Sequence, residues 1–228
     1  MMSEAGALRG LLLRVMGVWV MSAGLLWPVR GVLVDMLRLP LTWFGTPEIA
    51  WLAVGFSEVF VLDIKLVLGV AVAVAAPYAL FEIYRFMAPG LYAAERRVAR
   101  RVVVVAPLIS LVGAAMAWAF LAPSAAVFLL GFGHKGLTVM PRLADYLGLV
   151  LGMGVGAVLL LHAPLVALML VQAGFVRVAT LQRGRKWVVL CVLVVAAFVT
   201  PPDPLSMLLL AVPVLLWWEI CLFLGRRA

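Results

Sequence analysis

The sequence predicts an all-α, polytopic membrane protein with six transmembrane helices in a single unit covering 1–228. Three observations carry that prediction. Of the 228 residues, 67% are hydrophobic and only 12% charged, with a mean hydropathy of +1.20, which is more apolar surface than a soluble domain of this length can hide. The apolar residues gather in runs close to the roughly 20 residues a helix needs to cross about 30 Å of hydrocarbon. Those runs are continuous, whereas barrel strands would alternate over ~10-residue segments, and no linker, low-complexity segment or internal repeat divides the chain.

The runs lie at 15–34, 65–87, 102–122, 146–172, 187–200 and 204–224. Arg9 and Arg14 precede the first, which is longer than the apolar core of a cleavable signal peptide and lacks a small-x-small site before Pro28 and Arg30; it is read as a retained helix. The second, third, fourth and sixth runs contain Pro77, Pro107, Pro164 and Pro213. Each proline removes a backbone donor and bends its helix, which a membrane bundle tolerates where neighbours take up the freed carbonyl. The prolines favour a concave bundle, with local packing as the alternative. The fifth run is short, since about 14 residues between Lys186 and Pro201 reach only ~21 Å. Either it sits behind its neighbours or the bilayer thins around it. Thr200-Pro201-Pro202-Asp203-Pro204 then reverses the chain in a tight outer hairpin. The outer segments 35–64 and 123–145 include Trp43, Phe44, Trp51, Phe56 and Phe60 in the first of them, suited to an interfacial cap. Cys191 and Cys221 lie within apolar runs and read as buried thiols, not a disulfide.

Charge sets the orientation. With the N-terminus inside, 13 of the 18 lysines and arginines fall on the inner side, leaving Arg30, Arg38, Lys65, Lys135 and Arg142 outside. The positive-inside rule then places both termini in the cytoplasm. The net charge of +8 is therefore a signal of topology and anionic-lipid contact, and no nucleic-acid partner is expected. The sequence has no His-Glu-x-x-His, no Gly-x-Ser-x-Gly elbow, no pair of intramembrane aspartates and no P-loop, so neither an enzyme nor a cofactor or metal is expected. A proton-coupled transporter using Glu82 and His162 and a purely structural scaffold remain the competing readings.

Residues 86–97, Phe-Met-Ala-Pro-Gly-Leu-Tyr-Ala-Ala-Glu-Arg-Arg, form a proline-glycine break with one carboxylate, Glu95, between two apolar runs. This hinge resembles the first cytoplasmic loop of the TatC family, the multispanning receptor subunits of the twin-arginine protein translocase. Glu58-Val-Phe with Lys65, and Thr200-Pro-Pro-Asp203 through Ser206, Ala211, Pro213 and Glu219-Ile220, are similar to the family's entry to the second helix and its last hairpin and helix. The resemblance covers nearly the whole chain. It implies a receptor in the cell inner membrane that captures folded cargo by twin-arginine signal peptides, recruits single-helix partners of the TatA and TatB type, draws on the proton-motive force, and assembles as a homo-oligomer in the receptor complex.

The resemblance also assigns residues. Glu95, with Phe86, Pro89, Leu91, Tyr92, Arg96 and Arg97 of the hinge, and Arg9 near the start of the first helix, is assigned to signal-peptide binding. A carboxylate accepts paired, charge-assisted bonds from a guanidinium; the opposing reading makes Glu95 a surface partner of its neighbouring arginines. The family's Glu-Leu-Arg before the first helix reads Ala7-Leu8-Arg9 here, and Glu4, one turn lower on the same face, is expected to substitute in part. Glu82 and His162 are expected in an intramembrane polar cavity, His162 standing where the family has an acid or amide; pairing of Glu82 with Arg85 and a satisfied core histidine are the alternatives. Thr200, Ser206, Met207 and Asp203 are assigned to docking a partner helix, Met207 where a glutamine is common, with Asp203 also capping the last helix.

Overall fold

The computed structural model describes residues 2–44, 50–132 and 140–226, with the side chains of 2–5 and 93–94 outside the described set. Helix α1 (Met2–Leu26) passes through a tight turn at Trp27–Val29 into α2 (Arg30–Trp43). Helix α3 (Glu58–Met87) leads through the Ala88–Gly90 turn into α4 (Ala93–Met116), which continues through a widened π turn (Ala117–Leu121) into α5 (Ala122–Leu130). Helix α6 (Leu143–Gln172) is followed by α7 (Val178–Arg183), α8 (Arg185–Val199) and α9 (Pro204–Gly225). Among the described residues the only extended pairing is an isolated parallel bridge, Leu52 with Arg142, in which the Leu52 N–H donates to Pro141 O at 3.1 Å.

Among the described residues five helical stretches are long and apolar enough to cross a membrane: Gly6–Trp43, Glu58–Gly90, Glu95–Leu130, Leu143–Gln172 and Pro204–Gly225. At 15 residues, α8 extends about 22 Å, shorter than the hydrocarbon core. The helices outrun their apolar runs: α1, α3 and α4 begin ahead of them at Met2, Glu58 and Ala93, and two stretches also extend beyond their ends. Part of the expected outer segment 35–64 continues as helix to Trp43, and part of 123–145 to Leu130, because their inward residues are needed in the core: Leu37 and Leu41 are buried, as are Ala122, Pro123, Ser124 and Ala125. Pro123 has no N–H for the carbonyl four residues earlier, and the π turn just before it absorbs that mismatch.

The core runs along α6, whose Leu147, Met153, Ala157 and Leu161 meet Leu62 and Leu66 of α3, Leu121 at the π turn, Val192 and Ala196 of α8, and Leu210 and Val214 of α9. Glycines set the closest approaches, since small residues let membrane helices bring their backbones together. A Cβ on Gly113 of α4 would lie 3.1 Å from the backbone of Val158 of α6, and one on Gly156 of α6 would lie 2.2 Å from the Val199 side chain at the end of α8. Leu12, Leu13, Met16, Val20, Leu111, Val155, Leu159, Phe198 and Leu216 point outward, an apolar exterior suited to lipid. Cys191 is exposed, not buried as expected, while Cys221 is buried; the inward stripe of α8 is formed by Val192 and Ala196, which turns Cys191 to the outside.

Candidate functional site

Glu95 is positioned by the end of one helix and the start of the next. Pro89 stands in the turn that ends α3, Leu91 is extended, and Tyr92 caps α4 with extended backbone. Glu95 is then the third residue of α4, and its Oε2 accepts the Tyr92 N–H at 3.0 Å, while Arg96 N–H donates to Tyr92 O at 2.9 Å. A glutamate here reaches back to an otherwise orphaned backbone donor. Oε1 has no hydrogen-bond partner among the described residues, and Glu95 is half-buried. The carboxylate is thus held through Oε2, and Oε1 carries no competing bond among the described residues. Around it Phe86, Pro89, Tyr92, Arg96 and Arg97 are exposed and Leu91 is half-buried. Arg96, Arg97, Arg100 and Arg101 form no ion pair among the described residues, so Glu95 is not one member of a surface salt bridge with them. Arg9 is exposed on α1. The backbone of Glu4 lies in α1, but its side chain is outside the described residues.

Glu82 is buried on α3, with a side chain 3% exposed. Its nearest partner is Arg14 of α1, whose Nη2 lies 2.8 Å and Nε 3.0 Å from Oε2; the Arg85 pairing held as the alternative is present as a second, longer contact. Tyr78 Oη donates to Oε1 at 3.2 Å, and Arg85 lies farther off at 3.8 Å. A buried carboxylate requires a counter-charge, and no local pattern in the sequence ties this one to Arg14, 68 residues away. His162 is half-buried, and its Nδ1 lies 2.7 Å from Val158 O one turn back on α6, so Nδ1 carries the proton toward that carbonyl. No hydrogen bond or ion pair joins His162 to Glu82 among the described residues.

The far end of the bundle holds a polar cluster around the α8–α9 turn. Asp203 caps α9, accepting from Leu205 N–H at 3.0 Å and Ser206 N–H at 2.9 Å, and also the Ser206 hydroxyl. Ser206 Oγ lies 2.9 Å from Ser124 Oγ, which donates to Leu121 O at 2.9 Å. Thr200 Oγ1 donates to Ala196 O at 2.9 Å. Thr200, Asp203 and Ser206 are 5%, 5% and 0% exposed, and Met207 is half-buried against the core. Their polar groups face inward, and the surface beside them is formed by Phe198, Leu205 and Leu208.

At this same end Glu58 opens α3, accepting from Arg142 Nε at 2.9 Å and from the Val54 and Gly55 N–H groups at 2.8 and 3.3 Å. The hydrogen bond that Arg142 donates to Glu58 holds its guanidinium above the ordinary pKa. Arg30 pairs with Asp63 at 3.2 Å and Arg38 with Asp35 at 3.4 Å. A cleft of about 430 Å³ opens among Asp35, Arg38, Trp51, Glu58 and Asp63. No group of three His, Cys, Asp or Glu residues among the described ones is arranged to hold a metal.

Long apolar helices around α6, a half-buried capped carboxylate at one end and an internally satisfied polar hairpin at the other define a polytopic membrane protein. The TatC model, described as Sec-independent protein translocase protein, matches residues 5–213. A Sec-independent protein translocase protein TatC from Magnetococcus marinus is 31% identical over 84% of this chain and 71% of its own length. A second, from Halothiobacillus neapolitanus, is 31% identical over 89% of this chain, which spans only 55% of that longer relative. A crystal structure of the twin arginine translocase receptor TatC in DDM superposes with a TM-score of 0.77 at 28% identity, covering 97% of this chain and 99% of that one. The chain belongs to the TatC family: it is a membrane component of a Sec-independent protein translocase and not an enzyme.

Proposed function

We propose that this chain is the signal-peptide receptor of a twin-arginine translocase, and that Glu95 receives one of the paired guanidiniums of the incoming peptide. The observation that carries this reading is the geometry of the carboxylate: Oε2 is fixed by the Tyr92 N–H and Oε1 has no hydrogen-bond partner among the described residues, at a hinge between two helices. A guanidinium meeting a pre-oriented carboxylate forms a charge-assisted bond without first ordering the acceptor. Phe86, Pro89, Leu91 and Tyr92 offer apolar and aromatic surface to the residues beside the arginine pair. Arg9, Arg96 and Arg97 border the site and demand that the peptide bring its guanidiniums to the carboxylate and not elsewhere. Glu4 supplements this acid from the start of α1.

In the same reading 1–228 is one domain with six spans, concave toward its proline-bearing helices, both termini in the cytoplasm and the hinge facing inward, in the cell inner membrane. Support for a sixth crossing by α8 comes from its two ends: Arg185 pairs with Glu219 near the end of α9, while the turn after Val199 meets Ser124 through Ser206. Glu82 and His162 are the polar groups of the membrane interior. Partner helices of the TatA and TatB type pack against the α8–α9 hairpin, whose shape Thr200, Asp203 and Ser206 hold and whose edge includes Met207. Further copies of the chain join the receptor complex, and cargo moves at the expense of the proton-motive force. The test is photo-crosslinking from Tyr92 to a twin-arginine signal peptide. Strong adducts that vanish with Glu95→Gln and with a twin-lysine peptide are expected; adducts indifferent to both would end the reading.

A further inference from the structure

The Glu82–Arg14 pair is unequal in a way that a simple structural clasp does not require. The carboxylate is almost wholly buried on α3, whereas the Arg14 side chain from α1 is 51% exposed. Arg14 addresses Oε2 alone, through two nitrogens; Oε1 keeps Tyr78, with Arg85 at longer range. Removing Arg14 would therefore open one oxygen of Glu82 while leaving the other bonded. Arg14 also has a place to go, because a long guanidinium stem on a membrane surface can swing its head to the interface. Glu82 stands six residues before the hinge turn that begins at Ala88, about 9 Å along α3.

We propose that Glu82 is a second guanidinium-binding position, and that Arg14 occupies it as an intramolecular placeholder until an arginine of the peptide displaces it. This rests on the receptor reading above and deepens it. The exchange replaces one guanidinium by another, so no bond is made or broken covalently and the charge beside the buried carboxylate is unchanged. The desolvation of Glu82, which dominates the energetics of a buried pair, is therefore not incurred again on binding. A lysine in the peptide is a poorer replacement, since an ammonium does not reproduce two nitrogens directed at one oxygen.

The experiment measures binding of a fluorescent twin-arginine signal peptide, with a twin-lysine peptide as control, to the full chain in lipid nanodiscs. If the Arg14-released state is populated at about 10%, Arg14→Ala tightens binding about tenfold. The double variant Arg14→Ala/Glu82→Gln loses that gain, and Glu82→Gln alone, which removes the buried charge while keeping a hydrogen-bonding amide, weakens binding below wild type. Thermal unfolding is recorded for each. Binding by Arg14→Ala that is no tighter than wild type, or by Glu82→Gln that equals wild type, overturns the placeholder and leaves Arg14 a structural clasp. Should Arg14→Ala fail to fold, Glu82→Gln decides. Failure of the receptor reading looks different: wild type would not distinguish the arginine from the lysine peptide, and Glu95→Gln would change nothing in any background.

Discussion

A carboxylate that caps a helix and one that waits for a ligand look alike in a sequence, and Glu95 is both. Its Oε2 bond to the Tyr92 N–H means that changing it tests two roles at once, which Asp and Gln separate. Glu95→Gln keeps a side-chain oxygen of the same reach for the cap but loses the charge, and is expected to leave the melting temperature within a degree or two while weakening twin-arginine peptide binding about tenfold, the loss of roughly one charge-assisted bond. Equal peptide affinity in a titration would refute the charge role. Asp203 is the converse case. It is buried, caps two N–H groups and holds Ser206, so Asp203→Ala is expected to lower stability by about 1–2 kcal/mol, read as unfolding in detergent. The TatC resemblance and the residue type made Asp203 legible in the sequence as a cap. The inward hydroxyl of Ser206 was not, because its direction is fixed by Ser124 and Leu121 some 80 residues away, whereas that of Thr200 turns back on its own helix to Ala196 O. Arg14 was hidden for the same reason: its partner lies 68 residues off, and the nearer Arg85 offered a local alternative.

Helices were legible where apolar runs are long, and their limits were not. The run lengths locate α6, α9 and the end of α3 well because hydropathy alone decides them, whereas α3 starts at Glu58, seven residues ahead of its run. The extension of α1–α2 to Trp43 and of α4–α5 to Leu130 depends on tertiary burial of Leu37, Leu41 and Ala125, which no local pattern reports. Contact between elements is also a matter of missing atoms. Gly156 admits the Val199 side chain of α8 to within 2.2 Å of where a Cβ would stand, so Gly156→Ala is expected to cost about 1–3 kcal/mol by overpacking. Because the obstruction is a side chain, Val199→Ala should restore much of that loss in the double variant. Gly113 differs, since its Cβ would meet the backbone of Val158; truncating Val158 should rescue Gly113→Ala only weakly. Comparing the two double-mutant cycles by thermal unfolding checks both, and equal rescue would show that the α4–α6 crossing yields as readily as α6–α8.

At the scale of the whole molecule the two ends differ in how their positive charge is used. Arg30, Arg38 and Arg142 each meet a carboxylate at the end where α3 begins, while at the hinge end Arg96, Arg97, Arg100 and Arg101 have no ion-pair partner among the described residues. Unpaired guanidiniums are the ones free to hold a terminus on the anionic, cytoplasmic leaflet, so the hinge should face inward. Single cysteines test this in a background with Cys191 and Cys221 replaced by Ala. Phe56 and Tyr92 are both exposed, beyond the start of α3 and at its hinge. In intact cells a membrane-impermeant maleimide should label Phe56→Cys at once and Tyr92→Cys only after permeabilisation. A second pair probes the short helix: Phe175, exposed before α7, and Pro202, exposed after α8. If α8 crosses despite its ~22 Å length, Phe175→Cys is protected and Pro202→Cys reacts. Protection of both would place the α8–α9 turn on the inner side, leaving five crossings and removing the outer hairpin that the proposed partner docking requires. Reaction of Tyr92→Cys in intact cells would invert the whole arrangement and put Glu95 where no cytoplasmic signal peptide could meet it.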